Sequence, residues 1–222
     1  MSASLRKTGK STIGRHPERG SYDRAAAHAI LDEALVAHVG FDTDDGVVVV
    51  PMTYARIDDE IFLHGAAANR WLRSFAEGRD ISFCVTLLDG LVLARSAFSH
   101  SMNYRSVVAF GRAFTVNDDA RKAVAFRALL DHLLPGRWDD CRQPNRKEID
   151  ATTVLSLQLD EASVKVRSGP PKDAAKDVAL DYWAGVIPLE LQAGSPIPDT
   201  ANAGGDKRAI PSYAGNYARR RL

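Results

Sequence analysis

The chain carries only two cysteines in 222 residues, Cys84 in an apolar alternating stretch and Cys141 in a charged loop. Thiols so placed give neither a disulfide framework nor a paired-cysteine zinc site, and Cys84 reads as a small buried hydrophobe. No apolar run reaches the length of a membrane-spanning helix, and the polar start, residues 1–10, lacks the apolar core of a secretory signal. A cytoplasmic protein with no membrane partner is expected. An excess of one charge is also missing. The 29 basic and 28 acidic residues give +1 and are mixed along the chain, which is not the footprint of a nucleic-acid binder. The phosphate-cradling GxxxxGK[ST] loop is absent, and no glycine-rich dinucleotide fingerprint follows a strand. Neither HExxH, GxSxG nor a credible catalytic triad order is found, so hydrolase and metalloenzyme chemistry lose their support and no metal site is expected.

What is present is a chain with 45% hydrophobic residues, enough for a substantial core in one moderate or two small domains. Residues 1–20 are polar and aperiodic, an arm that orders by packing on something else. Asp23 caps a helix whose apolar face is Ala26, Ala27, Ile30, Leu31, Ala34 and Leu35. A strand over 36–41 and the Asp-Gly turn at 42–46 follow. The β-branched run 47–50 reads as buried on both faces, and Pro51 as a kink or edge that frees backbone groups around Met52 and Thr53 for a flat ligand.

The stretch 61–86 organises the rest. Two strand-like runs, 61–63 and 81–88, enclose a helix that Asn69 caps, that carries Trp71, Leu72 and Phe75, and that Gly78 ends. A helix start attracts anions, and Arg70 stands in its first turn, where helix chemistry alone favours Asp or Glu. A phosphate ligand is one reading of Arg70; a solvated surface arginine is the other. His64 and the small run 65–68 adjoin it, the latter open to close approach of a ligand.

Beyond these residues a hairpin is expected at Asp89-Gly90, then a long strand over 107–116 that bends at Gly111. A helix begun by Asn117-Asp118-Asp119 stops at Pro135-Gly136, and a short charged helix lies near 145–150. Strands over 152–159 and 162–167 follow, with the sheet ending at 168–171. Trp71 and Trp183 are most simply core or interface residues, and a ring stacked on a planar cofactor is the other reading. Residues 193–222 turn to Gly, Ala, Pro and charge and read as a mobile tail. Six to eight strands at hairpin spacing, three helices and no βαβ alternation give a mainly β fold with helices (α+β), an antiparallel barrel spanning residues 21–192.

The order of several motifs then resembles a known family. These are Val47-Val-Val-Val-Pro51-Met-Thr53-Tyr54, Ile61-Phe-Leu-His64-Gly65 with Asn69-Arg70, and Tyr104-Arg105-Ser106-Val-Val-Ala-Phe-Gly111-Arg-Ala113. Val164-Lys-Val-Arg167-Ser-Gly169-Pro170 and Trp183-Ala-Gly-Val-Ile-Pro188-Leu189 continue it. The run resembles the pyridoxamine 5'-phosphate oxidase-like split-barrel flavoproteins, within them the flavin-nucleotide-binding branch that includes the nitroimidazole-resistance proteins.

The resemblance implies an FMN-binding homodimer with flavin at the subunit interface and oxidoreductase activity on a small-molecule substrate. It places the flavin along Val50, Pro51, Met52 and Thr53. The family's Arg-Lys phosphate pair falls on Asn69 and Arg70, and its Arg-Gln pair on Arg105 and Ser106, beside Tyr104. Each pair has lost a functional group, which argues against pyridoxamine phosphate as substrate. His64 matches the histidine near the flavin in the nitroimidazole-resistance proteins and is the candidate catalytic residue; its other reading is a structural strand-end histidine. A non-enzymatic store or sensor of FMN, haem or the deazaflavin F420 on the same barrel is the alternative.

Overall fold

The computed structural model describes residues 3–75, 77–199 and 209–218. In chain order the elements are β1 (Gly20–Ser21), α1 (Arg24–Glu33), β2 (Val36–Thr43), β3 (Gly46–Ile57), β4 (Glu60–Ala66) and α2 (Arg70–Arg73). They continue with β5 (Arg79–Leu93), β6 (Ser101–Thr115), α3 (Asp119–Leu133), α4 (Arg146–Asp150), β7 (Thr152–Gln158), β8 (Glu161–Arg167), β9 (Gly185–Pro188) and α5 (Ser212–Gly215). The strand order is β1-β8-β6-β7-β4-β3-β2-β5-β9, and β6 also pairs with β5, so six strands close into a ring. All the strand pairings are antiparallel.

Closure depends on strands that change partner along their length. β6 pairs with β8 as far as Phe110 and with β7 from Phe114. Gly111 lies between the two segments, where a Cβ would stand 2.7 Å from Leu157 Cδ1. A side chain here would collide with the strand that β6 must reach. β3 divides in the same way, pairing with β2 over 46–53 and with β4 over 54–57.

The core fills the ring with Tyr54, Ile61, Leu63, Phe83, Val85, Val107, Leu155 and Leu157, and α1 closes one end with Ala27, Ile30 and Leu31. The Tyr54 hydroxyl donates to the Leu31 carbonyl at 2.5 Å, joining helix and barrel. Asp23 caps α1 by accepting the Ala25 N–H, and Asp118 caps α3 by accepting the Arg121 N–H. A smaller cluster of Phe62, Val116, Ala125 and Val154 seats α3.

Several expectations are corrected. The run 47–50 is not buried on both faces: Val47 is 79% and Val49 61% exposed, while Val48 and Val50 pack on the core. This sheet covers the core with one face only, so burial alternates. Of the kink or edge expected at Pro51, the edge is found: β3 runs through Pro51 without a break, Pro51 standing opposite His38 on one side and pairing with no strand on the other among the described residues. Asp89-Gly90 is not a hairpin, because β5 continues through it for fifteen residues with a bulge between Leu88 and Gly90. Gly90 serves close approach instead, since its Cβ would lie 3.0 Å from the Ile187 carbonyl of β9.

The helix begun by Asn69 lasts four residues. The sheet does not end at 168–171, because β9 adds to β5. Trp183 is 68% exposed and is not a core residue of this chain. The arm lies along the barrel: Leu5 is buried, and its N–H donates to the Tyr22 carbonyl at 2.7 Å. Within 193–222, α5 presents Tyr213, whose hydroxyl accepts from Arg137 at 3.0 Å; residues 200–208 and 219–222 of the expected tail lie outside the described residues.

Candidate functional site

The barrel opens where β3 and β4 part. Tyr54 and Leu63 are the last pair between them. Beyond that pair β3 stays with β2 and β4 with β7. Residues 50–53 thus have a strand partner on one side only, which leaves main-chain donors and acceptors on the other. A proline is tolerated on such a one-sided segment.

A cleft of about 290 Å³ lies at this parting, close to the lower end of small-ligand clefts, roughly 300 Å³. One wall is Val50, Pro51, Met52 and Thr53; another is His64 and Gly65 of β4, with Asn69 beside them. Phe41, Trp71 and Leu72 add an apolar side, with Phe41 and Trp71 edge to face at 6.4 Å between ring centroids. Gly65 makes room for Leu72, as its Cβ would fall 2.4 Å from Leu72 Cδ1.

His64 gives the cleft its chemistry. Its Nδ1 is buried with no hydrogen-bond partner, and burial pushes its pKa below the usual histidine value. The imidazole is neutral at pH 7, with one nitrogen donating and the other accepting. A buried nitrogen without a partner costs free energy, and the same ring lines the cleft, where a ligand with a polar edge would meet it. An aromatic and aliphatic side, free main-chain groups along one strand and one neutral imidazole fit a planar ring with a polar rim.

The sequence-predicted residues divide into three groups. Val50, Pro51, Met52, Thr53, His64 and Asn69 come together around the cleft. Arg70 stands just outside, its guanidinium 5.4 Å from the Trp71 ring centre and 3.2 Å from an Asp45 carboxylate oxygen. Tyr104, Arg105 and Ser106 do not line the cleft. They lie within β6, where Tyr104 pairs with Leu88 and Arg167 and the Ser106 hydroxyl donates to the Lys165 carbonyl at 3.3 Å.

Two parts of the phosphate reading are therefore corrected. Arg105 is not a free cation: it donates to Asp89 and to Glu33, which hold its pKa well above the usual guanidinium value. α2 is a single turn, too short to build a macrodipole. Its first free N–H groups, those of Trp71 and Leu72, already go to Asn69 Oδ1 at 2.9 and 3.4 Å.

The profile of the pyridoxamine 5'-phosphate oxidase family matches residues 23–166. The chain belongs to that family. The flavocytochrome Anf3 from Azotobacter vinelandii is 40% identical, with 93% of this chain and 95% of that one covered and a TM-score of 0.87. The FAD and haem binding protein from Mycobacterium smegmatis is 38% identical over 88% of this chain and 95% of that one, with a TM-score of 0.82. A nitroimidazole-resistance-like protein from Bacteroides thetaiotaomicron shares the fold at 20% identity, covering 66% and 86%, with a TM-score of 0.54. A comparison with curated proteins returned no match.

The cleft sits at the parting of β3 from β4 in this barrel. Phe41 and Leu72 were not foreseen as cleft residues; Trp71, read first as core or interface and second as a ring stacked on a planar cofactor, both packs on the core and lines the cleft. Phe41 lies near the end of β2 and is buried in the core, and nothing local shows that Trp71 meets it across the turn. Among the described residues no group of three or more His, Cys, Asp or Glu is placed to hold a metal ion, and no helix is long and apolar enough to cross a membrane.

Proposed function

We propose that the chain binds a flavin in the cleft between residues 50–53 and His64 and uses it as an oxidoreductase toward a small substrate. The observation that carries this is the one-sided strand edge of 50–53 beside the half-buried His64 imidazole, whose Nδ1 is buried and has no partner. Flavin binding is also supported by relatives at 40% and 38% identity, one named a flavocytochrome and the other an FAD and haem binding protein.

The FMN portion, common to FMN and FAD, has its ring against β3. Thr53 and the neighbouring main chain hydrogen-bond its polar edge, and Trp71 and Phe41 keep water from one side. Arg70 neutralises the first phosphate, and the exposed ion pair it leaves with Asp45 is worth little. Arg105 has no phosphate role within the protomer. A bound flavin supplies the electron chemistry, while the protein holds it and tunes it by hydrogen bonds. His64, neutral at pH 7, holds a hydrogen bond or a proton at the ring edge or the substrate. A second copy of the chain closes the open side of the cleft, its contact made through the exposed apolar face that includes Val49 and Leu88.

Haem is the second reading, favoured by the same imidazole, since a neutral histidine is a residue that would hold a haem iron. The absorbance spectrum of the purified protein, alone and after titration with FMN, FAD or haem, separates the readings. Flavin bands that persist through gel filtration support the first, and a Soret band lost in His64→Ala supports the second. A colourless protein that takes up neither flavin overturns the first. Reduction of the flavin-loaded protein by NAD(P)H, with turnover on an acceptor, tests the oxidoreductase role.

A further inference from the structure

The end of β8, away from the flavin cleft, holds a buried positive charge without a counter-charge. Arg167 is the last residue of that strand and is 6% exposed. Its Nη1 donates to the Asn103 side-chain oxygen and, at 3.0 Å, to the Gly169 carbonyl; its Nη2 donates to the Pro170 carbonyl at 3.0 Å. All three acceptors are neutral, and among the described residues no carboxylate pairs with it. Carbonyl groups satisfy donors but do not cancel a full charge, and a buried ion is ordinarily paired.

A second guanidinium enlarges the imbalance. Arg19 ends the short turn Pro17–Arg19, directly before β1. Gly20 of β1 stands opposite Lys165 of β8, so the register brings Arg19 alongside the last residues of β8. The Arg19 side chain is 20% exposed, and its carboxylate partner among the described residues is Glu18, at 3.7 Å and 59% exposed. Such a pair is worth little. Burial first, and the charge of Arg19 second, hold the pKa of Arg167 below the usual guanidinium value. Arg105, on the adjoining strand, shifts the other way because Asp89 and Glu33 supply its anions.

We infer that Arg167 and Arg19 form a binding site for the oxyanion group of a small ligand, a phosphate or a carboxylate, where β8 meets the N-terminal arm. The free donors of Arg167 select this chemistry. A guanidinium carries five N–H groups; both on Nη1 and one on Nη2 are taken. The Nε–H and the second Nη2–H are left, and they share one edge of the fork, the edge that grips two oxygens of a carboxylate or phosphate. Nε is not sealed from solvent, and Arg19 brings the second charge from the side of the arm.

The test is titration of the full chain with sodium phosphate and, separately, with sodium acetate at constant ionic strength, followed by calorimetry. The proteins are the wild type, Arg19→Gln, Arg167→Lys and Arg70→Ala. The wild type is expected to take up phosphate at millimolar concentration; uptake of acetate as well marks a carboxylate ligand, and uptake of phosphate alone a phosphate ligand. Arg19→Gln and Arg167→Lys are each expected to weaken uptake about tenfold, the second because a lysine keeps the charge but loses the fork. Arg70→Ala, at the flavin cleft, is expected to leave it within about twofold. Arg19→Gln carries the test if Arg167→Lys does not fold.

Uptake of neither probe by the wild type, or unchanged affinity in folded Arg19→Gln, overturns the site. Loss of phosphate in Arg70→Ala alone places the anion at the flavin cleft and overturns it too. Each of these results leaves the flavin reading standing, since that reading is tested by flavin uptake and not by these probes.

Discussion

The Arg105 guanidinium donates to both carboxylate oxygens of the buried Glu33, tying the middle of β6 to the last turn of α1. It also donates to both oxygens of Asp89, at 3.0 and 2.8 Å, on the bulge of β5. One side chain thereby joins a helix and two strands, and its geometry is that of a structural clamp.

If so, Arg105→Ala leaves the buried Glu33 without this guanidinium and should destabilise the protein by about 3 kcal/mol. Urea unfolding measures the loss. Arg105→Lys, which keeps the charge, should retain wild-type flavin affinity. A tenfold loss of affinity in a fully folded Arg105→Lys protein would return Arg105 to the phosphate site.

His64 makes stability depend on pH in a defined direction. Burial lowers its folded pKa, so below the unfolded value of about 6.5 the unfolded chain binds a proton that the folded chain refuses. Its contribution is complete above about pH 6.5 and is lost as pH falls from there through the folded pKa. Melting temperatures between pH 8 and pH 5 should therefore fall more steeply in the wild type than in His64→Gln. Equal slopes would remove His64 from the account.

Arg70→Ala should weaken FMN and FAD together, by about tenfold, the lower end for a hydrogen bond to a charged group. Its side chain is 67% exposed and its partner Asp45 is 72% exposed, so melting temperature should change little. Unchanged flavin affinity would leave Arg70 as a solvated arginine.

Gly65→Ala tests whether the cleft floor matters to binding. The new methyl displaces the Cδ1 end of Leu72, a flexible tip, so stability should fall by only about 1 kcal/mol. Leu72 lines the cleft, and its movement should weaken flavin roughly tenfold. Calorimetry on the folded variant gives both quantities. Wild-type affinity would show that Leu72 moves away from the ligand.

Much of the fold is legible locally. The caps Asp23, Asn69, Asp118 and Asn145 stand where their side chains can accept the first free N–H groups of a helix, and each does so. The alternation of 152–158 and 161–167 needs no partner to be read. Asp89-Gly90 misleads because the same dipeptide serves a turn or a bulge, and only Arg105 and β9, meeting it from elsewhere in the chain, decide between them. Asn69 marked a helix start correctly but not its length, because α2 stops at Arg73, short of Gly78, whose φ of 81° serves the turn ahead of β5.

The sequence by itself determined a split barrel of antiparallel strands, the family, and half of the cleft, because residues 50–53 and His64 lie on strands whose patterns are written in adjacent positions. Only the tertiary structure decided which cations are free. A guanidinium is charged wherever it stands, and whether it awaits a phosphate depends on carboxylates brought from distant positions: Glu33 and Asp89 occupy Arg105, while Arg79 meets no carboxylate among the described residues.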